Sequence, residues 1–226
     1  NLPSPHTDFS LTHGPLMVCG FLGTLIIIER AVSLESFLNG SIKKLPYLGA
    51  LLTTLGAIML VLGFDNSPAS LFFCAGSLGL VLIFAFIVKL HPTIYTIVMA
   101  LGALAWFVGN LIWLSGEPFF MVAPWWMSFL VLTIAGERLE LSRMANVSRN
   151  TQLVFTGLLG VLLLGVVITI SHMDVGLRVM GTGQIAVAAW LLRYDIARKT
   201  IRKVGLPRFV AACLLLGYVW LIVSGV

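Results

Sequence analysis

The stretch ASLFFCAGSLGLVLIFAFIV, residues 69–88, contains twenty residues and no charged side chain. About 20 consecutive apolar residues are enough for an α-helix to cross the hydrocarbon core of a bilayer. Across the whole chain, hydrophobic residues make up 59% and charged residues 10%, and the mean hydropathy is +1.03. Because soluble domains carry about 25% charged residues, this composition excludes a soluble globular domain.

Seven other apolar stretches of similar length accompany this one, and we predict an all-α, polytopic membrane helical bundle of about eight spans. The fifth span is the weakest, because Pro124 interrupts it. Residues 1–14 lack the basic n-region of a signal peptide, and we expect them to form a tail outside the membrane. The predicted spans are residues 15–33, 47–64, 69–88, 93–114, 119–136, 153–170, 175–192 and 206–224.

The charges are distributed unevenly between the two sides of this bundle. Thirteen of the 14 Lys and Arg residues follow spans one, three, five and seven, whereas Arg178 alone lies on the other side. With five and four of the acidic residues, the two sides carry +8 and −3. The positive-inside rule makes the +8 side cytoplasmic. We therefore predict a bacterial inner-membrane protein with both termini periplasmic, whose partner is the lipid bilayer and not a nucleic acid.

The chain also matches itself after a shift of 108 residues. Glu29-Arg30 then falls on Glu137-Arg138, Gly49 on Gly157 and Gly109 on Gly217. A repeated Glu-Arg pair is informative because charged residues are rare in this chain. We predict two tandem four-helix repeats, residues 15–114 and 115–226, related by an axis along the membrane normal, whereas inverted repeats need an odd number of spans.

Histidine and methionine side chains near the predicted periplasmic side could bind a metal. His13 and Met17 are four residues apart and face the same way on a helix, and His172 and Met173 end the sixth span. Imidazole and thioether groups suit copper, and imidazole also suits haem iron. The four residues predict a soft-metal site. The alternatives are interfacial histidines bonded to backbone or water and methionines that fill gaps in the core.

The Glu29-Arg30 and Glu137-Arg138 pairs lie at the predicted cytoplasmic ends of spans one and five. Charges in a membrane are costly and usually paired. We interpret these residues as structural charge pairs, and a path for protons or anions is the alternative.

Asn110 and Gln184 are uncharged polar residues deep within spans four and seven. Amide side chains often cross-link helices in membrane bundles, which is the interpretation we favour over residues lining a site. Trp113, Trp125 and Trp126 are interpreted as an aromatic belt at the periplasmic interface. The chain contains no nucleotide-binding loop, nucleophile elbow, HExxH motif or CxxC spacing.

Two segments resemble a known family. HGPLMVCGFLGT at residues 13–24, continuing to Glu29-Arg30-Ala31-Val32, is similar to the first span of NnrS-like membrane proteins. AGERLELS at residues 135–142 is similar to a signature of related membrane proteins. The NnrS-like proteins resemble haem-copper oxidase core subunits in being helical bundles that bear histidines. About a third of the chain shares this resemblance.

The resemblance implies a bacterial inner-membrane protein that binds haem, copper or both and serves in nitric oxide stress or denitrification. It makes His13 the first candidate for a cofactor ligand and His172 the second. The relatives have about twelve spans. We therefore expect this chain to lack a third four-helix unit, which would supply further histidines.

Two other functions remain open. The chain could be a transporter or channel for a small solute, whose path Asn110, Gln184 and the Glu-Arg pairs would line. It could also be a structural subunit that assembles with further membrane subunits. Whether the protein is an enzyme stays undecided at this point.

The predicted topology can be tested with reporter fusions. A reporter fused after Val226 is expected to lie in the periplasm, and one inserted between Arg193 and Arg208 in the cytoplasm, because the positive loops stay inside. Compartment-specific reporter activity measures both positions. Finding both fusions in one compartment would rule out the eight-span topology.

Overall fold

The structure is a computed structural model that describes residues 9–38, 40–64, 66–142 and 148–226. Every element within these ranges is helical. The elements are α1 (Phe9–Pro15), a π-helix (Leu16–Gly23), α2 (Thr24–Glu35), a 3₁₀-helix (Gly40–Lys44), α3 (Tyr47–Val61), α4 (Asn66–Leu90), α5 (Ile94–Leu114), α6 (Phe119–Ser142), α7 (Arg149–Ile168), α8 (Met173–Tyr194), α9 (Ala197–Thr200) and α10 (Leu206–Val223).

Eight helices in the described part of the chain are long and apolar enough to cross a membrane, as the hydropathy predicts. The first is a continuous helical run through α1, the π-helix and α2, of which Thr12–Glu35 is the membrane-length part. The prediction that Pro124 interrupts the fifth span is wrong. Pro124 lies inside the continuous helix α6, where its missing N–H removes one intrahelical hydrogen bond without ending the helix.

The helical run already begins at Phe9, so part of the predicted tail, residues 9–14, is helical. Residues 1–8 of that tail lie outside the described residues, as do Asp65 and Arg143 among the charges that we assigned to loops.

The chain divides into two compact units, Asn1–Phe129 and Leu130–Val226. The boundary falls within α6, whereas the predicted repeats divide at residues 114 and 115. The glycines that the repeat pairs have different surroundings. Gly49 lies against the Gly76 carbonyl oxygen and Gly109 lies against Trp126. At Gly157 and Gly217, by contrast, a Cβ atom would have no atom of another element within 4 Å. The tandem repeat therefore stays a prediction that these glycines do not support.

In the first unit, α4 packs against both α3 and α5. Glycines let the α3 and α4 backbones approach each other. A Cβ atom at position 76 would lie 2.4 Å from Thr53 Cγ2, and one at position 79 would lie 3.3 Å from the Gly49 Cα atom. Small residues at helix contacts are a common device in membranes, where close packing replaces the hydrophobic effect as the force between helices.

In the second unit, α8 packs against α7 and α10. Gly165 of α7 touches the backbone of α8, since a Cβ atom there would lie 2.2 Å from the Met180 nitrogen. At the other end of the pair, Phe155 stacks on Trp190 with ring centroids 4.1 Å apart. Trp190 also donates a hydrogen bond to the Thr151 carbonyl oxygen at 3.2 Å.

Two glycines of α7 should therefore respond differently to substitution. We expect Gly165→Ala to lower the free energy of unfolding by about 1–3 kcal/mol, because the new methyl group would push α7 and α8 apart. The matched control is Gly160→Ala on the same helix, where no atom of another element lies within 4 Å of the new methyl group; it should raise stability by up to about 1 kcal/mol, because alanine favours the helix over glycine. Unfolding by sodium dodecyl sulfate in mixed micelles, followed by tryptophan fluorescence, measures both. Equal losses would contradict the close α7–α8 contact.

Candidate functional site

Asn110 of α5 is the centre of a buried hydrogen-bonded cluster in the first unit, with 0% of its surface exposed. Its Nδ2 donates to Ser77 Oγ at 3.0 Å and to the Phe73 carbonyl oxygen at 3.2 Å, both on α4. Its Oδ1 accepts from Trp126 Nε1 of α6 at 3.1 Å and from the Cys19 thiol at 3.4 Å. A primary amide has two donor hydrogens and two acceptor positions, and all four are used here.

Cys19 enters this cluster from the π-helix of the first span. Its sulfur accepts a hydrogen bond from Trp106 Nε1 at 3.2 Å. Gly23 provides the space for this indole, because a Cβ atom at position 23 would lie 2.3 Å from Trp106 Cζ2. π-Helical turns within α-helices occur frequently at functional sites. This one presents a thiol and a glycine to the same tryptophan.

The cluster joins the first span to α4, α5 and α6 and is closed to solvent. The cluster links helices to one another and does not bind a solute through Asn110, because this amide has no free donor or acceptor. Satisfied polar networks of this kind rigidify a core. Within the described residues, Thr24 and Thr53 add a second link, with their hydroxyl oxygens 2.6 Å apart between α2 and α3.

The interpretation of the tryptophans as an interfacial belt is wrong for two of the three. Trp125 and Trp126 are 7% and 1% exposed, whereas belt residues face lipid headgroups. Trp126 points inward because Asn110 accepts its N–H and because Gly109 leaves room for its ring, with a Cβ atom there only 2.7 Å from Trp126 Cδ1. Trp113 is partly exposed and stacks against Phe73.

The predicted metal ligands divide between the two units. His13 and Met17 belong to the first unit and are both exposed. In the second unit, His172 is exposed at the N-cap of α8, and Met173 is partly buried at its first position. Within the described ranges, no group of three or more His, Cys, Asp or Glu side chains could hold a metal ion.

These residues fit some forms of metal binding and not others. An axial haem ligand requires one accessible imidazole, which His13 and His172 each provide. A closed tetrahedral metal centre requires four ligands, and neither histidine has that many candidate ligands beside it in its own unit. The structure therefore gives no support to a buried structural metal site at these positions.

The Glu29-Arg30 pair forms a salt bridge at 3.0 Å between Arg30 Nη2 and Glu29 Oε1. The Arg30 side chain is 12% exposed and that of Glu29 is 55% exposed. The Arg30 guanidinium also lies over the Phe84 ring at 5.9 Å, an arrangement that favours a cation. In the second unit, Glu137 and Arg138 of α6 are both partly buried.

Gln184 links α8 to α10 in the second unit. Its Nε2 donates to the Leu221 carbonyl oxygen at 3.0 Å and to Ser224 Oγ. The two segments meet closely here, because a Cβ atom at Gly181 would lie 2.4 Å from the Gly225 carbonyl oxygen.

A buried carboxylate that the sequence analysis missed is Asp195, one of the five acidic residues counted on the +8 side of the bundle. Asp195 is 5% exposed and accepts hydrogen bonds from the Tyr218 hydroxyl and from the Ala197 N–H, at 3.0 Å, where α9 begins. A tyrosine in the middle of the last span, away from both interfaces, is the sequence signal that could have suggested a buried partner.

The full chain, residues 1–226, matches the family described as Domain of unknown function (DUF8744), and the protein belongs to that family. No curated protein and no solved structure matches the chain.

Removal of the central amide should destabilise the first unit. We expect Asn110→Leu to lower the free energy of unfolding by about 1–3 kcal/mol, because the Trp126 N–H loses its acceptor in a buried site. The control is Thr182→Val, at an exposed position whose hydroxyl donates to the Val179 carbonyl oxygen of the same helix. Thr182→Val should lower the free energy of unfolding by less than about 0.5 kcal/mol. The same detergent titration measures both, and a neutral Asn110→Leu would show that the cluster does not hold the helices together.

Proposed function

We propose that this protein is an NnrS-like integral protein of the bacterial inner membrane, with both termini in the periplasm. It binds haem or copper near its periplasmic face through His13 and serves in nitric oxide stress or denitrification.

The exposure of His13 carries this proposal. Within the motif that resembles the NnrS-like proteins, the other distinctive residues have packing roles. A Cβ atom at Gly14 would lie 2.8 Å from Phe119 Cζ, and Cys19 and Gly23 hold Trp106. His13 is exposed and available to an external ligand. An exposed imidazole beside a membrane surface suits an axial haem position, and Met17, 42% exposed, adds a thioether for copper.

When bound, the haem or copper would supply the redox or ligand-binding chemistry. The contribution of this chain is to position the imidazole at the start of the first span, where it remains accessible. His172 and Met173 are the second candidates for ligands, on the basis of residue type and exposure.

The test is the visible spectrum of the detergent-purified protein, oxidised and reduced, with elemental analysis for iron and copper. We expect a Soret band or bound copper that is lost or strongly reduced in His13→Ala. The matched control is His91→Ala, whose ring lies against Phe37 at 6.0 Å on the predicted cytoplasmic side, and which should keep the full signal. The same measurement on His172→Ala shows whether the signal depends on His172 as well as on His13.

A colourless, metal-free protein from cells supplied with haem and copper would refute the proposal. A signal that His91→Ala and His13→Ala reduce equally would remove His13 as the ligand.

The second candidate function is a structural subunit of a larger membrane complex. The saturated hydrogen bonding of Asn110 and the engagement of Gln184 with α10 make both amides links between helices of this chain, which is a structural use of its polar residues. The same bonding gives less support to a transporter path lined by these amides. Purification in mild detergent tests this function: a stable association with other membrane proteins supports it, and an isolated chain argues against it.

A further inference from the structure

An apolar groove lies in the first unit between the end of α2, the 3₁₀-helix, α3 and α4, with a volume of about 400 Å³. All fourteen residues that line it are apolar. Gly49 and Gly79 are among them and bring the backbones of α3 and α4 together. Leu48 and Leu82, also among them, are 48% and 62% exposed, so the groove opens toward the surroundings of the helices.

The length of the groove matches one leaflet of a bilayer. Its lining on α4 extends from Ala75 to Phe86, which at 1.5 Å per residue is about 16 Å along the helix axis. The hydrocarbon core is about 30 Å thick, so the groove covers about half of it. A transmembrane helix of a partner would need a complementary face across the full thickness, whereas a lipid acyl chain occupies one leaflet.

Positive charges surround the end of the groove on the predicted cytoplasmic side. Lys43 and Lys44 are exposed and lie in sequence between Ile42 and Leu45, two lining residues. Lys89 is exposed three residues beyond Phe86 on α4. At the same end of the described chain, Glu35 accepts a hydrogen bond from Tyr47 at 3.0 Å, and Glu29 forms a salt bridge with Arg30. With Glu29 paired to Arg30, the three lysines outnumber the charge of Glu35.

We propose that the groove is a binding site for an anionic phospholipid of the cytoplasmic leaflet. One acyl chain lies along Gly49 and Gly79, and the phosphate contacts Lys43 and Lys44. The apolar lining excludes polar ligands, the length fits one acyl chain, and the lysines favour a negative headgroup over a zwitterionic one. The site is distinct from the histidines of the proposed function and does not depend on them.

Photo-crosslinking tests the site directly. The full chain is reconstituted in phosphatidylcholine vesicles with a small fraction of phosphatidylglycerol that carries a diazirine on one acyl chain, and the adducts are mapped by peptide mass spectrometry. We expect adducts concentrated in residues 34–52 and 75–86, and several-fold fewer when the diazirine is carried by phosphatidylcholine.

Two pairs of variants separate the acyl chain from the headgroup. Leu82→Trp fills the groove and should reduce adducts strongly. Its control is Leu71→Trp, also exposed and eleven residues away on the same helix, which is three turns and the same face. Lys43→Gln with Lys44→Gln should weaken phosphatidylglycerol labelling on the order of tenfold. Its control is Arg202→Gln with Lys203→Gln, an exposed basic pair in the second unit.

Each other outcome overturns the proposal. Uniform adducts over all lipid-facing helices would mean that the groove has no preference for lipid. Equal labelling by the two headgroups would remove the role of the lysines. Adducts elsewhere on the chain but none in residues 34–52 and 75–86 would mean that no phospholipid occupies the groove.

Discussion

Water is absent from the hydrocarbon core of a membrane, so a polar side chain placed there must find its partners within the protein. Asn110 meets this requirement completely, since its four hydrogen bonds join it to the first span, α4 and α6. The positions of Trp126 and Trp106 follow from the same requirement, because each indole N–H needs an acceptor where no water is available. Gly23 and Gly109 provide the space that these two rings occupy.

The second unit satisfies the same constraint with different residues. Gln184 bonds to the end of α10, and Asp195 accepts the hydroxyl of Tyr218. The two units therefore resemble each other in principle but not residue by residue. The glycine pairs that suggested a repeat differ in the same way, because glycine in an apolar chain can serve close packing at one position and have no packing role at another.

The eight membrane-length helices could be predicted because hydropathy depends only on residues that are neighbours in sequence. The partners of Asn110 could not, because Cys19 and Trp126 are separated from it by 91 and 16 residues and hydropathy carries no information on helix adjacency. Trp126 was misassigned for this reason: a tryptophan near the end of a span is typical of an interface, and only the position of α5 reveals its acceptor. Asp195 next to basic residues looks like a loop charge until Tyr218 is brought beside it. For His13, the sequence supplied the resemblance, and the structure supplied the exposure.

The π-helix of the first span is also relevant to the direction in which the residues before it face. A π-helical turn holds about one residue more than an α-helical turn, and each residue of an α-helix corresponds to a rotation of about 100°. Removing the extra residue from Leu16–Gly23 and restoring α-helical winding would therefore leave His13 facing nearly the same way relative to Arg30. Removing a residue from the α-helical part between them would instead rotate His13 by about 100°. The π-helix thus lets the first span hold one residue more between the histidine and the Glu-Arg pair without changing the face that the histidine presents.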